Sequence, residues 1–155
     1  MIKRSALLAT VLATAALGGC ASLDDYSKAT TSRTVGYWQG SQHCVTENSG
    51  AQQIVGLKLE KDVMPLVANG ILYVERTMPG WQEPARVWMQ VTAESSFGGK
   101  AIITGKQVLK QEGPVYWSVA NWEATFLDDD SLQISACGSN LVLKRQQNSA
   151  TVGSL

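Results

Sequence analysis

The feature that most constrains this chain is an apolar period of two, carried from Val35 to Arg145 and interrupted at even intervals by turn chemistry. A period of two sends alternate side chains to opposite faces of an extended strand, whereas a helix needs 3.6. Gln53 to Glu60 directs Val55, Leu57 and Leu59 to one face, and Val87 to Thr92 does the same with Val87, Met89 and Val91. Runs rich in β-branched and aromatic residues continue the pattern at Val35–Val45, Ile71–Thr77, Ala101–Val108, Tyr116–Val119, Glu123–Leu127, Leu132–Cys137 and Leu141–Arg145. Between them stand Asn48-Ser49-Gly50, Ala68-Asn69-Gly70, Pro79-Gly80, Phe97-Gly98-Gly99, Gly113-Pro114, Asp128-Asp129-Asp130 and Gly138-Ser139-Asn140. Lys61 to Val67 has room for one helical turn, limited by Pro65. About eight short strands at this spacing predict an all-β domain over residues 35–146. The expected form is a small, mostly antiparallel closed barrel, with a β-sandwich as the alternative. A barrel of this size is either filled by its own side chains or wide enough for one small ligand.

The N-terminus has a different character. Met1-Ile2-Lys3-Arg4 is a basic start, Ser5 to Leu17 is a short uncharged run, and small residues lead into Cys20. These are the three regions of a secretory signal, residues 1–19, too short for a spanning helix. Leu17-Gly18-Gly19-Cys20 resembles the lipobox of bacterial lipoproteins. The resemblance implies cleavage before Cys20, a diacylglyceryl group on its thiol and acylation of the new amine. Several acyl chains on one residue suffice for stable anchoring where one does not. Ala21 stands where that family uses an aspartate for inner-membrane retention, which implies the outer membrane of a Gram-negative host and a periplasm-facing protein.

Residues 20–34 are the lipidated cysteine and a polar stretch without an apolar period, expected as a flexible tether able to span about 45 Å when extended. Residues 147–155 are similarly polar and are expected as a disordered tail. Thirteen basic and thirteen acidic side chains cancel over the whole chain, and losing Lys3 and Arg4 with the signal leaves the mature form slightly acidic. No Lys/Arg cluster supports a nucleic-acid partner.

Cys44 and Cys137 remain beyond the lipid site. In an oxidising compartment an even pair reads as a disulfide, closing a loop of about ninety residues worth about 4–5 kcal/mol in the loop-entropy model. With His43 they make a poor metal set, since a structural zinc site wants four ligands. Leu132 and Ile134 alternate out of phase with Cys137, so either a bulge near Ser135-Ala136 or a cysteine outside the barrel wall is expected.

Gly36-Tyr37-Trp38 opens the first strand and Arg145 ends the last. This resembles the lipocalin-like (calycin) arrangement, in which the tryptophan of a G-x-W packs beneath a cation from the final strand. The resemblance implies a closed barrel with Gly36, Trp38 and Arg145 as its structural signature. The Ser95–Lys100 stretch is similar, in composition only, to the inhibitory loop of small lipid-anchored lysozyme inhibitors.

Trp38 and Trp88 lie inside strands and are expected in the core or wall. Trp81, Tyr116, Trp117 and Trp122 lie in or beside loops and form the candidate ligand- or partner-binding set, loop-covering closure of the barrel ends being the alternative. The three aspartates at 128–130 lack the spacing of a calcium loop and read as a solvated turn. Glu60-Lys61-Asp62 and Glu75-Arg76 read as surface charge. His43 has no nucleophile-elbow serine to serve. The expectation is therefore non-catalytic, with no cofactor and no metal. It is a binding module for an apolar or amphipathic small ligand, or alternatively a protein-interaction module such as an envelope hydrolase inhibitor, immunity protein or assembly accessory.

Overall fold

A computed structural model describes residues 23–44, 50–62 and 64–147; the signal, Cys20 and residues 148–155 lie outside the described residues. Eight strands run β1 Gly36–His43, β2 Gln52–Lys61, β3 Val67–Thr77, β4 Ala85–Ser95, β5 Lys100–Glu112, β6 Asn121–Phe126, β7 Ser131–Ala136 and β8 Ser139–Gln146. Each pairs antiparallel with the next, and β8 returns to β1. The sheet is a closed barrel, so the sandwich alternative falls.

The period-two pattern explains the interior. Trp38, Val55, Leu57, Leu59, Leu72, Val74, Val87, Met89, Val91, Ile103, Phe126, Leu132, Ile134, Leu141 and Leu143 belong to one buried cluster. Burying each aliphatic side chain of this size contributes about 1.5–3 kcal/mol. Trp38, Leu57, Val87 and Leu143 are 0% exposed, and Val55, Met89, Ile103 and Leu132 are 1%. A cavity able to hold a ligand would leave its lining open to that cavity, so the barrel is filled by its own side chains.

The structure departs from the sequence reading, or decides between its alternatives, at four places. Tyr116–Val119 is not a strand; it belongs to the irregular connection between β5 and β6. Asn69-Gly70 is not a turn but lies well inside β3, paired with β2 on one side and β4 on the other. A Cβ on Gly70 would fall 1.8 Å from the Lys58 carbonyl oxygen, so the glycine serves a close backbone approach. No bulge occurs near Ser135-Ala136, since β7 and β8 pair without a break from Ser131 to Ala136. The other expected alternative holds, since Cys137 lies off the strand in the tight turn between β7 and β8, with φ 53°. The register shifts are between β4 and β5, beside Trp88/Met89 and Gln90/Val91.

The fourth difference concerns the tether. Leu23–Thr34 is an α-helix, α1, with Asp24 and Asp25 in its first turn and Arg33 in its last, charges that complement the helix dipole. Its sequence lacks an apolar stripe, and polar contacts with the barrel hold it. Thr34 Oγ1 is 2.9 Å from Ser95 Oγ, Arg33 Nε donates to Asp129 at 2.9 Å, and the Trp38 indole N–H donates to the Thr34 carbonyl at 3.2 Å. α1 thus packs at one end of the barrel, with the β2–β3, β4–β5 and β6–β7 connections.

Candidate functional site

The opposite end carries the disulfide and, around it, the residues singled out from sequence. Among the described residues β1 and β8 share a ladder only over Tyr37–Gln39 and Lys144–Gln146, near the helical end. Farther along the seam other links hold the barrel shut. Gln42 Nε2 donates to the Ala136 carbonyl at 2.7 Å, Ser139 Oγ donates to Gln42 Oε1 at 3.1 Å, and a disulfide joins Cys44 to Cys137 with 5.1 Å between their Cα atoms. The Cys44 amide also donates to the Ala51 carbonyl at 2.8 Å. The disulfide lies at the strand ends, where the β1–β8 ladder is missing.

Trp81 sits in the β3–β4 connection, Tyr116 and Trp117 in the β5–β6 connection, and Trp122 near the start of β6. Antiparallel order brings all of these elements to the disulfide end. The four aromatic side chains do not form one cluster, however, and their exposures differ. Trp117 and Trp122 are half-buried and pack against the core from its rim. Arg76 lies over the Trp117 ring at 5.3 Å, the Trp117 amide donates to Gln111 Oε1 at 3.1 Å, and the Trp117 indole N–H is buried without an acceptor. Trp81 is half-buried. Tyr116 is 86% exposed, and Val119 in the same connection is 48% exposed.

Beside this connection the sheet has an open flank. β5 pairs with β6 only over Lys100–Thr104 and Asn121–Thr125, extended by one bond from the Gly105 amide to the Ala120 carbonyl. From Lys106 to Glu112 the strand keeps its partner β4 on one side and has no ladder on the other. Leu109, 42% exposed, lies on this overhang at one of the register shifts. Sequence patterning could not locate the flank, because strand length says nothing about how much of each edge is paired.

Gly36, Trp38 and Arg145 meet at the helical end. The Arg145 guanidinium carbon is 4.2 Å from the Trp38 ring centroid, and a Cβ on Gly36 would fall 2.5 Å from Arg145 Nη1. Arg145 also donates to the carbonyls of Val35 at 2.6 Å, Asp129 at 2.9 Å and Arg33. These contacts tie the aspartate turn to β8 and α1.

A further cluster, absent from the sequence reading, covers the outer wall. Tyr73 pairs with Trp88, Glu75 with Arg86, Arg86 with Glu112 and Trp88 with Lys110 across three strands. Arg86 Nε donates to Glu75 Oε2 at 2.7 Å, Lys110 bonds Glu112 at 2.8 Å, and Lys110 lies 4.9 Å over the Trp88 ring. Tyr73 donates to Glu75 at 2.6 Å; burial first, then the neighbouring Glu75, pushes its phenol up to about 12. Burial alone would raise Glu75, but hydrogen bonds from Tyr73 and Arg86 outweigh it and hold the carboxylate below its ordinary value. Glu75, read from sequence as surface charge, is part of a half-buried network. The alternation of Tyr73/Glu75, Arg86/Trp88 and Lys110/Glu112 at i, i+2 was the available signal. No protein-family model matches the chain, nor does any curated protein or any solved structure.

Proposed function

We propose that this chain is a lipid-anchored, periplasm-facing envelope protein whose barrel is a non-catalytic protein-interaction module. The observation that carries the reading is the open flank of β5 from Lys106 to Glu112, beside the exposed Tyr116. An unpaired strand edge offers alternating N–H and C=O groups to an extended segment of another chain, and adjacent apolar side chains supply selectivity. The filled interior weighs against the alternative of a small apolar ligand held inside. The signal sequence and Cys20 support the anchor and the compartment.

The test is site-specific photocrosslinking in cells. A photoreactive residue at Leu109 or Tyr116 is expected to capture one discrete protein, and the same group at Ser41, exposed on β1 at the opposite side of the barrel, is expected not to. Equal adducts from all three positions, or none, would reject the interface. Native mass spectrometry of the untreated periplasmic protein addresses the ligand reading directly. An extractable small molecule of fixed mass would restore it.

A further inference from the structure

We infer that the helical end of the barrel rests on the lipid surface, with Met64, Phe97 and Leu127 seated at the headgroup–acyl boundary, an inference that rests on the lipoprotein reading above.

Three connections at this end each carry one large apolar side chain turned outward. Met64 between β2 and β3 is 60% exposed, Phe97 between β4 and β5 is 70%, and Leu127 between β6 and β7 is 53%. All three surround α1. Met64 shares a cleft with Ser27, Lys28 and Thr31 of the helix. Phe97 stacks on Tyr26 at 4.7 Å, and Tyr26 donates to the Ser96 carbonyl at 3.2 Å. Leu127 adjoins the turn whose Asp129 accepts from Arg33.

The length of chain before the helix chooses the occupant of this face. Only Ala21 and Ser22 separate Cys20 from Leu23. At the reach of an extended chain, the start of α1 stays within about 11 Å of the lipidated residue. Tyr26 is less than one helical turn farther on, about 4.5 Å along the axis, and it holds Phe97. The anchor therefore delivers this face, rather than the disulfide end, to the bilayer. An aromatic and two aliphatic side chains at loop tips suit the interfacial layer. Exposed Lys28, Lys61 and Lys100 are interleaved with Asp24, Asp25 and the aspartates at 128–130, so the contact is apolar rather than an attraction to anionic headgroups. Among the described residues no helix is long and apolar enough to cross a membrane. The open flank of β5 and Tyr116 then face away from the lipid.

The experiment uses the full lipidated protein in phosphatidylethanolamine/phosphatidylglycerol vesicles. With Cys20 acylated and Cys44–Cys137 closed, a cysteine introduced at position 64, 97, 116 or 127 is the sole free thiol for an environment-sensitive fluorophore. Labels placed by Met64→Cys, Phe97→Cys and Leu127→Cys should shift to the blue and be quenched by lipids brominated near the headgroup. The label of Tyr116→Cys should do neither. All labels remaining in water while the protein floats with the vesicles would overturn the docked orientation and leave the lipoprotein reading standing. Failure to float, with an unmodified Cys20 by mass, would overturn both.

Discussion

The guanidinium of Arg145 lies face-on to the Trp38 indole, which in turn donates to the Thr34 carbonyl at the end of α1. Helix, first strand and last strand are thereby joined through two side chains. The same arginine reaches the carbonyls of Arg33, Val35 and Asp129. It closes the seam where β1 and β8 share their ladder.

Arg145→Ala should therefore lower stability by about 2–4 kcal/mol, the order of a cation–π contact plus one net hydrogen bond from a charged donor, since the carbonyls freed at the exposed rim can turn to water. Arg145→Lys should recover only part of this, because an ammonium cannot reach several carbonyls at once. Gly36→Ala, whose Cβ would collide with Arg145 Nη1, should act on the same contact. Urea midpoints of the single and double variants check this. Additive losses would show that the two residues act separately.

Reducing the Cys44–Cys137 disulfide should destabilise the barrel by about 4–5 kcal/mol on the loop-entropy estimate. Amide exchange should locate the earliest loss at the disulfide end of β1, β7 and β8, where Gln42 would remain as a cross-link. Uniform loosening of the whole barrel on reduction would contradict that local role.

Gly70→Ala places a methyl carbon 1.8 Å from the Lys58 oxygen. Backbone cannot yield there without spreading β2 from β3, so a loss of about 2–3 kcal/mol is expected, at the upper end for overpacking. Gly80→Ala provides the contrast, since its Cβ would meet nothing within 4 Å, although the φ of 90° adds some strain. Melting temperatures of the two variants should differ clearly.

The Tyr73 phenol, raised to about 12 by burial and by Glu75, gives an alkaline signature. Its neutral form is favoured in the folded state, so the associated stability is complete below the unfolded value near 10 and falls as pH rises through about 12. Glu75 behaves oppositely: its lowered value contributes stability above the unfolded carboxylate range, lost as pH falls through the folded value. Ultraviolet titration should show one late tyrosine that disappears in Tyr73→Phe. Tyr73→Phe should also weaken the acid-side stabilisation, because Glu75 then loses a donor.

The inward faces of β2 and β4 were legible because Val55, Leu57, Leu59 and Val87, Met89, Val91 alternate without interruption. β5 was legible only to its middle. Its register shifts against β4 move the outward positions out of phase beyond Gly105, and the sequence pattern dissolves there. α1 was not legible, since its buried side chains are Thr31 and Thr34 rather than an apolar stripe, and its partners lie 61 and 96 residues away. Asn69-Gly70 has turn composition but answers a close approach from a neighbouring strand, which local sequence does not encode. At the disulfide end, Tyr116 stood out as an aromatic beyond the core pattern. The open edge beside it depends on β6 starting late, a property of pairing rather than of composition.

Arg145 contacts Val35 across 110 positions of sequence. A chain that emerges from its N-terminus has every strand but the last available before this residue appears. The meander from β1 to β7 can assemble in order, yet it remains an open sheet with two unsatisfied margins until β8 arrives. Closure is thus a late event governed by chain completion, and a long-range pairing of this kind folds slowly. During that interval the uncovered margins of β1 and β7 are the places where a chaperone would have to hold.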